Sequence, residues 1–246
     1  MIRILLALVL SLALVKASGT DAATDTLRRL AEAGDAKAQH KLGIKLNANA
    51  EAVDWWRKSA NQGYAYALLN LIHMSLNNLP FSPPADETIK WMKMLRKSAE
   101  KGDAKMQYCL GQVTEDKVEA AAWYRKSAEQ GDDEAAMALS QAYENGIGVL
   151  KNKSESIKWL IKSAELNNNL AQLLLAQNYE SGYGVLKNIV EAHAWYNIST
   201  VSGEFDFQYE FGTKEYKKLE NSMTEEQKVE AKKRARELFD KLPKKK

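Results

Sequence analysis

Residues 132–167, DDEAAMALSQAYENGIGVLKNKSESIKWLIKSAELN, have close copies on both sides, and a chain built this way folds as an array. The copies align on the small residue that closes each one: Gly34, Gly63, Gly102, Gly131, Asn167 and Gly203. The intervals are 29, 39, 29, 36 and 36 residues, so 36 is the basic period. Eight positions before the closing residue stands Trp55, Trp123, Trp159 or Trp195, with Met94 in the second copy. The closing strings WRKSANQG, LRKSAEKG, YRKSAEQG and LIKSAELN are variants of one segment. Five units are expected, at about 31–63, 64–102, 103–131, 132–167 and 168–203.

Each unit reads as two helices. The closing glycine is followed at once by a residue suited to N-capping, Asp35, Asp103 or Asp132, approximated by Asn168 and broken by Tyr64. Apolar residues then recur at helical spacing, Ala135, Leu139 and Tyr143, matched by Ala171, Leu175 and Tyr179. The connecting loop at 145–152 is echoed at 181–188, and its paired glycines give the backbone freedom a tight turn needs. The 29-residue units lack about this length, and the second unit has LPFSPP at 79–84, which favours an extended connection. A second helix, starting near Glu119 or Ser154, carries the tryptophan, whose ring buries on the order of 200 Å² and anchors the pair.

The recurring A-x-x-G-D-x-x-A, L-(G/S/A), Y-x-x-G-x-G-V and W-Y-x-K-S-A-E-x-G elements resemble Sel1-like repeats over residues 31–203. The segment MTEEQKVEAK at 223–232 is similar to the C-terminal helix that follows bacterial members of that family. The resemblance implies an all-α fold, an α/α superhelical solenoid of Sel1-like helix pairs with a C-terminal capping helix, related to tetratricopeptide arrays. It also implies an adaptor or binding scaffold in secretion, envelope or host-interaction settings. The paired cysteines of the family's cysteine-rich secreted branch are missing, so that branch's properties do not transfer.

An apolar run from Ile4 to Val15 behind Arg3, ending in Val15-Lys16-Ala17, reads as a cleaved signal peptide at 1–17, with an uncleaved anchor as the alternative. The run is shorter than the roughly 20 residues a membrane span needs. A periplasmic or secreted protein without a membrane span in its mature chain is therefore expected. Without Arg3 and Lys16 the formal charge falls from +3 to +1. Residues 232–246 hold eight basic against two acidic side chains, a balance of +6, which leaves −5 on residues 18–231. A nucleic-acid binder needs a basic stripe over its folded surface, so that class is excluded. A solvated helix end accounts for the basic tail. Cys109 is the one cysteine, which rules out an internal disulfide framework and reads as a packed thiol.

No cofactor is implied, and the spacing of His40, His73 and His193 argues for no metal site. The G-x-G of the loops follows no strand and recurs, so it is not a nucleotide fingerprint. Ser98-Ala-Glu-Lys101 matches the S-x-x-K of penicillin-recognising enzymes, which makes a cell-wall-directed hydrolase or penicillin-binding activity the alternative to a scaffold. The equivalent positions read SANQ, SAEQ and SAEL, so the serine belongs to the repeat framework and no enzyme is expected. Asn152-Lys-Ser154 and Asn197-Ile-Ser199 are glycosylation sequons, relevant only in a eukaryotic secretory pathway.

Candidate binding residues are those that vary between copies on a common helix face. Three columns of the first helices at i, i+3 and i+7 do so. They hold Lys37, Tyr66, Lys105, Glu134 and Leu170; His40, Leu69, Tyr108, Met137 and Leu173; and Ile44, His73, Gln112, Gln141 and Gln177. Leu69, Met137 and Leu173 suit packing between neighbouring helices. Tyr66, His73, Tyr108, Gln112, Gln141 and Gln177 are the candidates for a protein or peptide partner, because aromatics and amides serve a groove while partly wet. After the last unit, the alternating aromatics Phe205, Phe207, Tyr209 and Phe211 suit a strand, or a seal over the array's apolar end, with a charged helix from Thr224 to Leu242 as polar cap.

Overall fold

A computed structural model describes residues 22–47, 49–201 and 207–243. The expected signal segment lies outside them. Among the described residues the secondary structure is wholly helical, with thirteen α-helices and no strand. They fall into two compact units, one reaching Val113 and the other starting at Thr114. That boundary passes between the two helices of the third repeat.

The first unit contains α1 (Ala22–Glu32), α2 (Ala36–Lys45), α3 (Ala50–Asn61), α4 (Ala65–Leu76), α5 (Ala85–Glu100) and α6 (Ala104–Val113). Each helix packs on the next, and α4 also packs on α6. The second unit contains α7 (Lys117–Glu129), α8 (Asp133–Asn145), α9 (Lys153–Glu165), α10 (Asn169–Ser181), α11 (Ile189–Val201), α12 (Phe207–Asn221) and α13 (Glu225–Phe239), again packed in succession from α7 to α12. Both α12 and α13 lie against α11.

The helices start and stop where the sequence provides for it. Asp35, Asp132 and Asn168 accept the backbone N–H three residues on, and Asp103 accepts from Met106 at 2.9 Å. Tyr64 occupies the same position without a side-chain cap. Asn167 takes the left-handed conformation in place of the closing glycine, with φ 70°.

Two polar clamps tie the helix pairs together. Gln39, Gln107 and Gln172 are buried and donate to the carbonyls of Ala31, Ala99 and Ala164 in the helix before, at 3.0, 3.0 and 3.2 Å. Ser59 and Ser163 donate to the carbonyls of Ala36 and Asp133, at 2.6 and 2.7 Å. Buried polar groups are tolerated on such terms, and here they set the register of one helix on another.

The tryptophan column behaves as an anchor. Trp55, Trp123, Trp159 and Trp195 are all buried. Trp55 and Trp123 donate Nε1 to the glutamate one turn back, Glu51 at 3.3 Å and Glu119 at 3.1 Å, and Lys58 and Lys126 cover their rings. The second repeat has Met94 at the regular column, as the sequence shows, and anchors its helix elsewhere. Met94 is only half-buried, but Trp91, one turn earlier on α5, is 2% exposed and fills the core. In the first repeat Trp56 lies so close to α2 that a Cβ on Gly43 would stand 2.4 Å from its indole nitrogen. That contact explains glycine in the L-(G/S/A) step there.

The long loops have a second use for glycine beyond turning. At Gly148, where φ is 72°, a Cβ would stand 1.8 Å from the carbonyl oxygen of Lys117, so the loop lies directly on the start of α7. Gly184 bears in the same way on Ile157 of α9, at 2.7 Å. The loop of one repeat thus covers the second helix of the repeat before it.

The aromatic run after the last repeat does not form a strand where it is described, because α12 begins at Phe207; Phe205 and the side chains of Phe207, Tyr209 and Phe211 lie outside the described residues. Sealing of the apolar end falls to Leu219, Met223, Ala231, Ala235 and Leu238, which join the buried cluster with Ala192, Trp195, Tyr196 and Ile198. Thr224 opens α13 with a reciprocal capping box to Gln227. The amide of Asn167 donates to the Pro243 carbonyl at 3.2 Å, which fastens the end of the cap to the fourth repeat.

Candidate protein-interaction surface

Within the first unit, the variable columns of α2, α4 and α6 come together. Tyr66 stacks on His40 with ring centroids 5.9 Å apart, and Tyr64 completes the triangle at 5.2 Å from His40 and 5.8 Å from Tyr66. The Lys105 ammonium stands 5.3 Å from the Tyr66 ring and 5.6 Å from that of Tyr108, a cation shared by two aromatic faces. Tyr64, Tyr66 and Tyr108 are half-buried, so each keeps an edge toward solvent. Lys37, one turn before His40 on α2, is exposed.

His40 is the buried floor of this group. Its Nε2 lies 3.1 Å from the side-chain amide nitrogen of Asn70. With that amide donating, the ring is a neutral acceptor and carries its proton on Nδ1. Burial, helped by the charge of Lys41, pulls its pKa from 6.5 down to about 4.

His73 and Gln112 form a second pair, two helical turns beyond Tyr66 on α4 and one beyond Tyr108 on α6. The His73 ring is half-buried and bonds to the backbone of Gln112; burial lowers its pKa, against that bond. Four of the six candidates, Tyr66, His73, Tyr108 and Gln112, therefore share one face of α4 and α6. Gln141 and Gln177 lie on α8 and α10 in the second unit, exposed and half-buried. Their backbone carbonyls accept from Asn145 and Ser181, at 2.9 and 2.8 Å. In the middle column Met137 and Leu173 are buried, Leu69 half-buried. Tyr64 and the floor role of His40 were not among the chosen candidates. The signal for Tyr64 was present, since it replaces the capping aspartate of the other copies.

The chemistry available elsewhere is limited. Ser98 is half-buried in a column where Ser59 and Ser163 bond to backbone carbonyls; Lys101 is exposed at the end of α5. Cys109 is buried and is not in a disulfide. Among the described residues no group of three or more His, Cys, Asp or Glu could hold a metal ion, and no helix is long and apolar enough to cross a membrane.

The family model of the Sel1 repeat matches residues 36–64, 107–132, 133–168 and 169–199. The chain belongs to the Sel1 repeat family, whose members are generally protein–protein interaction scaffolds and typically non-catalytic. The match passes over 65–106, which contains the Tyr66, Trp91 and Lys105 arrangement. Among solved structures, the chain is similar to a protective antigen of uropathogenic Escherichia coli that displays an SLR fold, with 28% identity and a TM-score of 0.57. That likeness covers 89% of this chain and 48% of the antigen, so the chain spans about half of the antigen's length. It is also similar to a Sel1 repeat protein from Oxalobacter formigenes, with 25% identity, a TM-score of 0.50, and 74% and 85% of the two chains covered. A Pseudomonas aeruginosa protein, PA5086, shares the fold at 19% identity and a TM-score of 0.51, over 82% of this chain and 84% of its own. No curated protein matches the sequence.

Proposed function

We propose that this protein is an exported scaffold that captures a protein or peptide partner on the first-helix face of its first unit. The observation that carries this reading is the tyrosine group around Lys105, assembled from three successive first helices at the positions that differ between repeats. Half-buried tyrosines supply rigid contact area at small entropic cost, with hydroxyls able to bond a partner's backbone. In arrays related to tetratricopeptide repeats the first helices line the binding groove, and family membership supports the same use here.

The test replaces Tyr66 and Tyr108 together by alanine. The expected outcome is loss of partner capture from envelope extract with unchanged helicity by circular dichroism. Loss of helicity would assign the tyrosines to the core. Export rests on the residues 1–17 pattern alone; N-terminal sequencing of the protein recovered from its source cells should begin after Ala17. Acylation of Ser98 by a penicillin probe would replace the scaffold reading with the enzymatic one.

A further inference from the structure

In the second unit the loops themselves form a surface that packing within the fold does not require. Leu150 is 91% exposed and Leu186 is 90% exposed, at equivalent positions of 145–152 and 181–188. Ile147 and Tyr183, also equivalent, are about half exposed. Lone exposed apolar residues need no explanation, but the same two positions filled twice do.

The two loops are neighbours. The Tyr183 hydroxyl donates to Glu144 at 2.6 Å, just before the first loop, and the Lys153 ammonium, just after it, stands 3.4 Å from the Tyr183 ring. Val118 extends the strip, because the first loop rests at Gly148 on Lys117 and Val118, and Val118 is 68% exposed.

The strip is basic as well as apolar. Lys117, Lys151 and Lys187 are exposed beside it. Nearby acids are engaged: Asp116 caps α7, Glu144 accepts a hydrogen bond from the Tyr183 hydroxyl, and Glu155 pairs with Lys158. At the far end the charge is mixed: Asn188 shares a depression of about 400 Å³ with Lys233 and Arg234 of α13 and with Glu191, Glu230 and Glu237. Arg234 is paired with Glu191 at 2.6 Å, and residues 232–246 carry a net +6.

We propose that this loop edge docks on an anionic lipid surface, with Leu150 and Leu186 entering the headgroup boundary and the flanking lysines held by lipid phosphates. Protruding single leucines beside lysines suit a deformable negative surface, where apolar burial and charge attraction add. A protein partner would have to offer a separate pocket to each.

Sedimentation of the full chain with vesicles tests this. Vesicles of equal parts phosphatidylcholine and phosphatidylglycerol should retain the protein at low salt and release it progressively as salt rises. Pure phosphatidylcholine vesicles should not retain it. Leu150→Ser with Leu186→Ser, both exposed and harmless to folding, should lower the partition coefficient at least about tenfold. Lys151→Gln with Lys187→Gln should lower it several-fold and flatten the salt dependence. Two results would overturn the proposal: no retention on the anionic vesicles, or retention that ignores the leucine variant and vanishes when Lys244, Lys245 and Lys246 are changed to glutamine. Loss of a captured protein in the leucine variant, without vesicle binding by the wild type, would reassign the edge to a protein partner.

Discussion

The second and fourth repeats share one plan and fill it differently. In the fourth, Asp132 caps α8, a seven-residue step from Gly146 to Asn152 makes the turn, and Trp159 anchors α9. In the second, Tyr64 starts α4 without a cap, prolines make the turn, and the anchor has moved back one helical turn to Trp91. The fourth repeat is one the Sel1 model matches, and the second is the one it passes over. An array tolerates such a repeat because each contacts only its neighbours, so a departure has to be compensated only locally. What the second repeat loses in regularity it returns as Tyr64 and Tyr66 at the start of α4, on which His40 of α2 and Lys105 of α6 converge.

The displaced anchor gives the largest expected effect. Trp91→Ala should cost about 3–5 kcal/mol in chemical denaturation, as large buried aromatics do. Met94→Ala, at the regular column but half-buried, should cost less than about 1.5 kcal/mol. In the fourth repeat the order reverses, with Trp159 in the regular column costing about 3–5 kcal/mol. Equal losses at Trp91 and Met94 would break the comparison.

The turns give the next effect. At Gly148 an added Cβ meets the backbone oxygen of Lys117 at 1.8 Å, so Gly148→Ala must move the loop or α7 and should cost roughly 3 kcal/mol. Gly63, which closes the first repeat just before Tyr64, has nothing within 4 Å of an added Cβ, and Gly63→Ala pays mainly for its φ of 82°, about 1–2 kcal/mol. Thermal or denaturant unfolding separates the two.

Much of this plan was legible in the sequence, because it follows from local physics. Caps, closing residues and the tryptophan column depend on residues within one turn of each other, so a period read along the chain finds them. Trp91 was visible as a residue but not as the anchor, since a shift of one turn keeps the same helix face and only packing shows which turn is covered. The candidate tyrosines were found by their variation, whereas the joining of His40, Tyr64, Tyr66 and Lys105 depends on how α2, α4 and α6 lie side by side. Tyr64 was read only as a broken cap. The loops' contact with the preceding second helix was likewise hidden, because Gly148 and Gly184 looked like ordinary turn glycines.

Acid should act on the irregular side through His40. Its folded pKa of about 4 lies below the 6.5 of the free side chain, so between these values the unfolded chain binds the proton and the folded one does not. Stability is therefore complete above about pH 6.5, falls as pH drops toward 4, and levels off below, a loss on the order of 3 kcal/mol. His40→Leu should remove the share of this pH dependence that His40 contributes, leaving the smaller one of His73, and, by withdrawing the acceptor from Asn70, disturb the tyrosine group above it. Unfolding curves at pH 7 and pH 4.5, read for both proteins, check the sign.

The smallest effect should run the other way, toward greater stability. His193 on α11 is fully buried, and neither ring nitrogen has a hydrogen-bond partner; Glu220 stands 3.9 Å away and the Tyr216 ring 4.4 Å away. The same column holds Val53, Ala121 and Ile157 in other repeats, all buried. An unsatisfied buried ring costs what an apolar side chain of similar volume does not. His193→Ile should therefore raise stability by about 1 kcal/mol at pH 7. Burial holds the His193 pKa below its ordinary value, so the wild type weakens as pH falls through 6.5, and the advantage of the variant should widen at pH 5.5. A variant less stable than the wild type would show that the approach of Glu220 outweighs the missing hydrogen bonds, and that the cap is held to α11 by charge.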